Sequence, residues 1–94
     1  MNLSQPTSDY SAAFRQGVGR RMKCVRVAIG KTQDEFAELV GITRQTLASY
    51  ENGHSEPLSS ILFRLCEDLN VDPAWLLTGE VTRPMFANQK AGAA

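Results

Sequence analysis

Two short helical patterns joined by a tight turn occupy residues 33–52, and this stretch constrains the fold of the chain most strongly. Thr32 is suited to cap the first pattern, and Glu35, three residues later, can complete a capping box. The apolar residues of this pattern fall on one stripe at helical spacing: Phe36, Ala37, Leu39 and Val40. Gly41 then ends the helix at the position where a left-handed backbone costs least.

The second pattern follows the turn and has two different faces. Thr43 can cap it, and Leu47 and Tyr50 face inward with Glu51 beside them. The outward face is polar and short-chained: Arg44, Gln45, Ala48, Ser49 and Asn52. A face that covers a core would be apolar, whereas this one suits the edges of bases in a groove. Two such helices joined through Gly41 predict a helix-turn-helix, and the alternative is an ordinary helical hairpin in a bundle.

The flanking sequence predicts three further helices. The first should run from about Phe14 to Ile29, with Gly17 and Gly19 weakening its start. Its buried stripe recurs at helical spacing: Val18, Met22, Val25 and Ile29. A fourth helix is expected over residues 59–69, and a short fifth helix over residues 73–78, where Asp-Pro opens the helix and Gly ends it.

Together these elements predict a single all-α domain, a compact five-helix fold with the helix-turn-helix at helices 2 and 3. The domain should cover residues 13–80, preceded by a flexible arm at 1–12 and followed by a tail at 81–94. Met85 and Phe86 are the plausible anchors of that tail.

Charge is distributed unevenly although the formal net charge is zero. The first helix and the turn after it contain six basic residues and no acidic one: Arg15, Arg20, Arg21, Lys23, Arg26 and Lys31. From Glu51 to Glu80 there are six acidic residues, and Arg64 is the only lysine or arginine. One basic flank and one acidic flank would let the molecule orient on DNA while limiting non-specific binding, although part of the basic run is expected to be a solvated helix face.

The composition argues against catalytic and metal chemistry. Cys24 and Cys66 lack CxxC spacing and are expected to be free thiols, and His54 is the only histidine. No paired nucleophile and base, metal cluster or phosphate-binding glycine loop is visible, so we expect no enzyme activity, no metal and no cofactor. No apolar run is long enough for a membrane span, and no secretory signal is evident. The expected location is the cytoplasm of a bacterial or phage-infected cell.

The run GKTQDEFAELVGITRQTLASYENGHSEP, followed by LSSILFRLCEDLNVDPAWLLTGE, resembles the Cro and lambda-repressor-like helix-turn-helix regulators, also called the XRE family. The resemblance covers about Val18 to Glu80 and is densest from Gln33 to Gly53, where it has no gaps. The ending WLLTGE is similar to that of phage repressors and prophage regulators. The family implies a compact five-helix domain that binds double-stranded DNA as a two-fold homodimer.

The resemblance also implies residue roles. Contacts to base edges in the major groove would come from Arg44, Gln45, Ala48 and Ser49. Contacts to backbone phosphates would come from Gln33, Thr43, Thr46, Asn52 and His54. Arginine can bind guanine through paired hydrogen bonds, and glutamine can bind adenine in the same way. Each such pair is worth about 1–3 kcal/mol of discrimination between bases. The family pairs an arginine of the first helix with the glutamate of the ENG turn, here Arg26 and Glu51, and this pair would tie the first helix to the third.

Two features need separate interpretation. The family has an apolar residue at the position of Ser59, and a small shift of the helix start could let Leu58 compensate. Trp75, Leu76 and Leu77 are more than one face of a short helix can bury, so some should seal the core. The surplus is expected either to form a dimer interface or to be buried in the core as well.

Two classes of function remain after an enzyme is rejected. The first is a sequence-specific transcriptional regulator, a dimeric repressor of phage, prophage or mobile-element origin that reads a palindromic operator. The second is a protein-interaction module, such as an antitoxin that binds a toxin and also represses its own operon. In the second case the acidic fourth and fifth helices or the tails would face the protein partner.

Overall fold

The computed structural model describes residues 4–87 of the 94-residue chain and contains five α-helices in that range. Their bounds are α1 Ser4–Ala28, α2 Gln33–Val40, α3 Arg44–Glu51, α4 Ser59–Leu69 and α5 Pro73–Thr78. An isolated antiparallel bridge between Val71 and Phe86 is the β-type pairing found among these residues. The predicted all-α, five-helix fold is confirmed.

Helix α1 starts earlier than the sequence pattern predicts. It begins at Ser4 rather than near Phe14, so most of the segment predicted as an arm is helical, while residues 1–3 lie outside the described part. Pro6 stands in the first turn, where a missing backbone N–H costs no intrahelical hydrogen bond. Gly17 and Gly19 do not interrupt the helix.

The core lies between α1, which packs against α3 and α5, and α2, which packs against α3 and α4. Its fully buried large side chains include Val18, Met22, Val25, Phe36, Val40, Leu47, Leu65 and Leu76. The predicted stripe of α1 is therefore confirmed, with Ile29 packed against its end. Leu39 does not belong to the stripe of α2, because its side chain is 44% exposed. Leu58 is 61% exposed at the N-cap of α4, so it does not replace the apolar residue expected at Ser59.

The helix ends follow the predicted local chemistry. Thr32 Oγ1 accepts a hydrogen bond from the Glu35 N–H, and the Glu35 carboxylate accepts one from the Thr32 N–H, which completes the capping box. Gly41 has φ of 84°, and its N–H donates hydrogen bonds to the carbonyls of Ala37 and Glu38. Asp72 caps α5 by accepting from the Trp75 N–H at 3.0 Å.

Helix α1 also holds the short helix α5. Arg21 Nε donates to the Leu76 carbonyl at 2.7 Å, and Nη2 donates to the Leu77 carbonyl at 3.2 Å. These carbonyls lie in the last turn of α5, where intrahelical donors run out. Partial burial, together with the charge of Arg20, lowers the pKa of Arg21, which stays protonated at neutral pH.

The chain after α5 folds back on the connection between α4 and α5. The Asp72 N–H donates to the Met85 carbonyl at 2.8 Å, and the Ala87 N–H donates to the Asn70 carbonyl at 2.6 Å. Met85 and Phe86 pack against the core, as expected for anchors of the tail. The described part of the predicted tail, through Ala87, is therefore attached to the domain, and residues 88–94 lie outside the described part.

An ion pair fastens this returning segment. Arg83 donates from Nη2 to Asp72 Oδ1 at 2.7 Å and from Nε to Oδ2 at 3.2 Å. The Asp72 side chain is 1% exposed, whereas that of Arg83 is 52% exposed. The Arg83 guanidinium, aided by the Trp75 N–H, lowers the pKa of the Asp72 carboxyl below its ordinary value.

The substitution Asp72→Asn should remove a pH-dependent part of the stability. Asparagine can still cap α5 but cannot pair with the charge of Arg83. Because the folded-state pKa of Asp72 is lowered, its contribution is present above the unfolded value of about 3.9 and is lost as pH falls through the folded-state pKa. Urea midpoints should thus differ at pH 7 and converge in the acid range. A difference that stays constant with pH would contradict a charge effect.

Candidate nucleic-acid interface

The base-reading residues expected on α3 differ in their exposure. Arg44 and Gln45 are exposed, whereas Ala48 and Ser49 are half-buried. Arg44 Nε lies 3.7 Å from Asp34 Oδ1, but both side chains are largely exposed, at 65% and 79%, so this pair is weak. Two long polar side chains, one a cation and one an amide, are thus presented near the N-terminal end of α3.

Ser49 has a partner that the sequence pattern did not indicate. Its Oγ lies 2.7 Å from Oγ of Ser55, and the Ser49 carbonyl accepts from the His54 N–H at 2.9 Å. These bonds hold the loop after α3 against the end of the helix. A pair of hydroxyls uses one proton between them, so the other hydroxyl proton is still able to reach a base or phosphate.

The two threonines at the start of α3 are joined to each other. Thr43 Oγ1 accepts from the Thr46 N–H at 3.0 Å and donates to Thr46 Oγ1 at 2.9 Å. The hydroxyl proton of Thr43 is therefore used within the cap, whereas the hydroxyl proton of Thr46 takes part in neither of these hydrogen bonds. Of these two predicted phosphate contacts, Thr46 is the hydroxyl that can still donate.

Glu51 connects three elements at the base of the helix-turn-helix. Arg26 Nε donates to Glu51 Oε2 at 2.8 Å and Arg26 Nη2 donates to Oε1 at 3.1 Å. Gln33 Nε2 donates to the same Oε1 at 3.0 Å, and Arg26 Nη1 reaches the Lys31 carbonyl at 3.1 Å. The hydrogen bonds to Glu51 raise the pKa of Arg26. The predicted pair of Arg26 and Glu51 is present, and it includes Gln33 as a third member.

The position of Gln33 modifies its expected role. It was predicted to donate to a phosphate from the start of α2, but one of its amide protons is held by Glu51. Its amide nitrogen carries a second proton, and the side chain is half-buried at the first position of α2. Glu51 therefore fixes the direction of the amide at a helix N-terminus, where an anion is favoured.

The loop after α3 contains the other two predicted phosphate contacts. Asn52 and His54 are both exposed, and Gly53 between them has φ of 75°. Arg15 of α1 donates from Nε to the Gly53 carbonyl at 3.3 Å. Sequence periodicity could not find this contact, because Arg15 and the loop are far apart in the chain.

The basic run of α1 is only partly a solvated face. Arg15, Arg21 and Arg26 all donate hydrogen bonds to other parts of the protein. The remaining basic side chains of the run are exposed: Arg20, Lys23 and Lys31. Three of the six basic side chains therefore have positions fixed by hydrogen bonds within the fold, and the other three form the solvated part of the run.

The proposed dimer residues of α5 are separated by the structure. Leu76 is completely buried in the core, so it has no surface with which to contact a second copy. Leu77 is 42% exposed and Trp75 is half-buried against the core. Leu77 lines an apolar groove of about 610 Å³ that also includes Phe14, Leu62 and Phe63. The candidate interface residues on α5 are thus reduced to Trp75 and Leu77.

Within residues 4–87, no cluster of three or more histidine, cysteine, aspartate or glutamate side chains has the geometry of a metal site. The helices of that range include none with the length and apolar character needed to cross a membrane.

Comparison with known proteins identifies relatives of this chain. A helix-turn-helix family model matches residues 23–76. YonR, a prophage-derived uncharacterised HTH-type transcriptional regulator of Bacillus subtilis, is 39% identical over 61 residues, which are 65% of this chain and 56% of that protein. DicA, an HTH-type transcriptional regulator of Escherichia coli, is 32% identical over 63 residues, 67% of this chain and 47% of that protein.

A further relative has a different description. Antitoxin PezA of Streptococcus pneumoniae is 39% identical over 54 residues, which are 57% of this chain and 34% of that protein. The chain thus spans about a third to just over half of the length of these relatives. The family match covers more than half of the chain and includes Arg26, Gln33 and Glu51. The chain belongs to the helix-turn-helix family, in its Cro and lambda-repressor-like (XRE) group.

Proposed function

We propose that the protein is a sequence-specific regulator that binds double-stranded DNA with α3 in the major groove. The observation that carries this proposal is the exposed pair Arg44 and Gln45 on a helix fixed from behind by Glu51. Rigid backing matters because bidentate contacts to bases require a defined position and orientation of the side chain. The HTH-type transcriptional regulators among the relatives support the same function.

In this proposal the side chains divide into two groups with different tasks. Arg44 would donate to guanine, Gln45 would bind adenine, and Ala48 and Ser49 would lie close to the base edges. Gln33, Thr46, Asn52 and His54 would contact phosphates and fix the register without reading sequence. Thr43 would contribute mainly by holding Thr46, since its own proton is used in the cap.

We further propose that the protein acts as a homodimeric repressor. A two-fold dimer would read a palindromic operator with half-sites about 10–10.5 base pairs apart, which is one helical turn. Leu77 and the neighbouring apolar groove supply exposed apolar surface for an interface. The action is binding rather than catalysis, without a cofactor, and its location is the cytoplasm, where bacterial DNA lies.

Selection of binding sites from a random duplex pool tests the proposal. The wild-type protein should enrich an inverted repeat with one-turn spacing, and Arg44→Ala should lose preference at one symmetric position of each half-site. The expected loss at that position is about 1–3 kcal/mol, or roughly 5- to 150-fold. Gln45→Ala should act at a different position, because the two side chains reach different base pairs.

Two further variants serve as controls in this experiment. Gln33→Ala should weaken binding to all sequences alike, since phosphate contacts carry no base preference. Ser60→Ala changes an exposed neutral residue of α4 and should leave both affinity and preference unchanged. Equal losses across all sequences for Arg44→Ala, Gln45→Ala and Gln33→Ala would contradict the assignment of base-reading residues.

A second candidate function is an antitoxin that also regulates its own operon. The similarity to antitoxin PezA favours it, although the matched segment is a third of that protein. The exposed Phe63 and Leu77 beside the apolar groove would then face a protein partner. Failure to enrich any DNA motif, together with binding to the product of a neighbouring gene, would support this alternative over the first.

A further inference from the structure

The loop after α3 has the wrong charge for a segment that contacts phosphates. It follows the C-terminal end of α3, where backbone carbonyls carry a partial negative charge. Glu56 lies within the loop and His54 is its only titratable base, while the charge of Glu51, just before the loop, is paired with Arg26. A phosphate that approached Asn52 and His54 would therefore need a cation supplied by another element.

Helix α1 brings one arginine to this loop. Arg15 Nε donates to the Gly53 carbonyl at 3.3 Å, and Gln16 on the next position lies directly against Gly53. A β-carbon on Gly53 would lie 3.1 Å from Cγ of Gln16, so the approach of α1 to the loop is close. The Arg15 guanidinium is consequently held at the C-terminal end of α3.

Most of the donor capacity of Arg15 is left for a ligand. The bond to Gly53 uses Nε, whereas a guanidinium carries five N–H donors in a planar fork. No acidic side chain of the described residues pairs with Arg15, in contrast to Arg26 and Arg83. The fork therefore has its terminal nitrogens available, in the geometry that suits a phosphate.

The loop itself is fixed to α3, so the arginine keeps a defined position relative to the base-reading residues. The His54 N–H donates to the Ser49 carbonyl at 2.9 Å, and the hydroxyls of Ser49 and Ser55 are 2.7 Å apart. Gly53 thus connects Arg15 to the same helix that carries Arg44 and Gln45. A backbone contact made there would set the depth and register of α3 in the groove.

We propose that Arg15 is a phosphate-binding residue for the DNA strand that passes the C-terminal end of α3, where it supplies the positive charge that the loop lacks. This inference rests on the proposed DNA-binding function and adds α1 to the interface. It predicts a contribution to affinity that depends on salt and is independent of base sequence.

The experiment measures Kd against salt concentration for a selected operator duplex and for a random-sequence duplex of about three helical turns. Arg15→Ala should reduce the slope of log Kd against log salt by about 0.9 on both duplexes, as expected for one lost phosphate contact. Arg15→Lys should keep most of the slope, because it keeps the charge. Base preference in the selection experiment should not change with either variant.

Two variants separate this role from a purely structural one. Arg15→Gln can still donate to the Gly53 carbonyl but has no charge, so it should lose slope while unfolding at nearly the wild-type temperature. Arg20→Ala removes an exposed charge from another face of α1 and should leave the slope unchanged. A normal slope for Arg15→Gln would mean that Arg15 only caps α3 and would overturn the inference. Absence of DNA binding by the wild-type protein would instead overturn the proposed function itself.

Discussion

Replacing Glu51 by alanine should destabilise the domain by about 3–5 kcal/mol. The Glu51 side chain is 3% exposed and that of Arg26 is 13% exposed, so the substitution would leave a poorly hydrated guanidinium without its carboxylate. It would also remove the acceptor of Gln33. Since a small domain is stable by only about 5–15 kcal/mol, urea unfolding should detect this loss easily.

Two comparisons separate the ion pair from a general effect of truncation. Glu56→Ala removes an exposed carboxylate from the following loop and should change the free energy of unfolding by less than about 0.5 kcal/mol. Arg26→Ala and the double variant complete a double-mutant cycle with Glu51→Ala. The double variant should be more stable than the sum of the single losses predicts, by about 0.5–3 kcal/mol. Simple additivity would show that the two side chains do not stabilise each other.

The features that could be predicted from sequence are those set by neighbouring residues. The capping box of Thr32 and Glu35 and the Gly41 turn follow from local hydrogen bonding and backbone preference. The buried stripe of Val18, Met22 and Val25 follows from helical spacing alone. The pair of Arg26 and Glu51 came from the family resemblance, because no local pattern relates residues so far apart.

The features that could not be predicted depend on how distant segments meet. The sequence of α5 gives no reason to separate Leu76 from Trp75 and Leu77, but the packing of α5 on α1 buries Leu76 completely. Arg15 and Arg21 looked like members of a solvated basic face until the fold brought the ends of α3 and α5 beside them. A helix ending has free carbonyls in either case, and only the tertiary structure determines which arginine reaches them.

The roles of the two glycines in α1 were likewise hidden in the sequence. Both were expected to weaken the start of the helix, since glycine is a poor helix former. In the structure both are buried in mid-helix. A β-carbon on Gly19 would overlap the carbonyl oxygen of Tyr50 and lie 3.3 Å from that of Glu51. Gly19 thus permits the close crossing of α1 over the end of α3.

We therefore expect Gly19→Ala to destabilise the domain by at least about 2 kcal/mol, even though alanine improves helix propensity by about 1 kcal/mol. The new methyl group would meet a backbone carbonyl, which cannot move aside without shifting α3 and separating Arg26 from Glu51. Urea unfolding measures the loss, and binding-site selection would show whether base preference weakens with it.

Gly17→Ala is the matched control, because it makes the same chemical change in the same buried stretch of α1. The atoms nearest its methyl group would be those of the Arg21 guanidinium, with Nη1 at 3.0 Å. Nη1 makes neither of the hydrogen bonds from Arg21 to α5, and a side-chain shift of a few tenths of an ångström relieves the contact. Since propensity and unfolded-state effects are nearly the same for both substitutions, the difference in stability isolates the helix crossing. Gly17→Ala should be neutral or stabilising by up to about 1 kcal/mol. Equal stability of the two variants would mean that α1 does not approach the Tyr50 carbonyl this closely in solution.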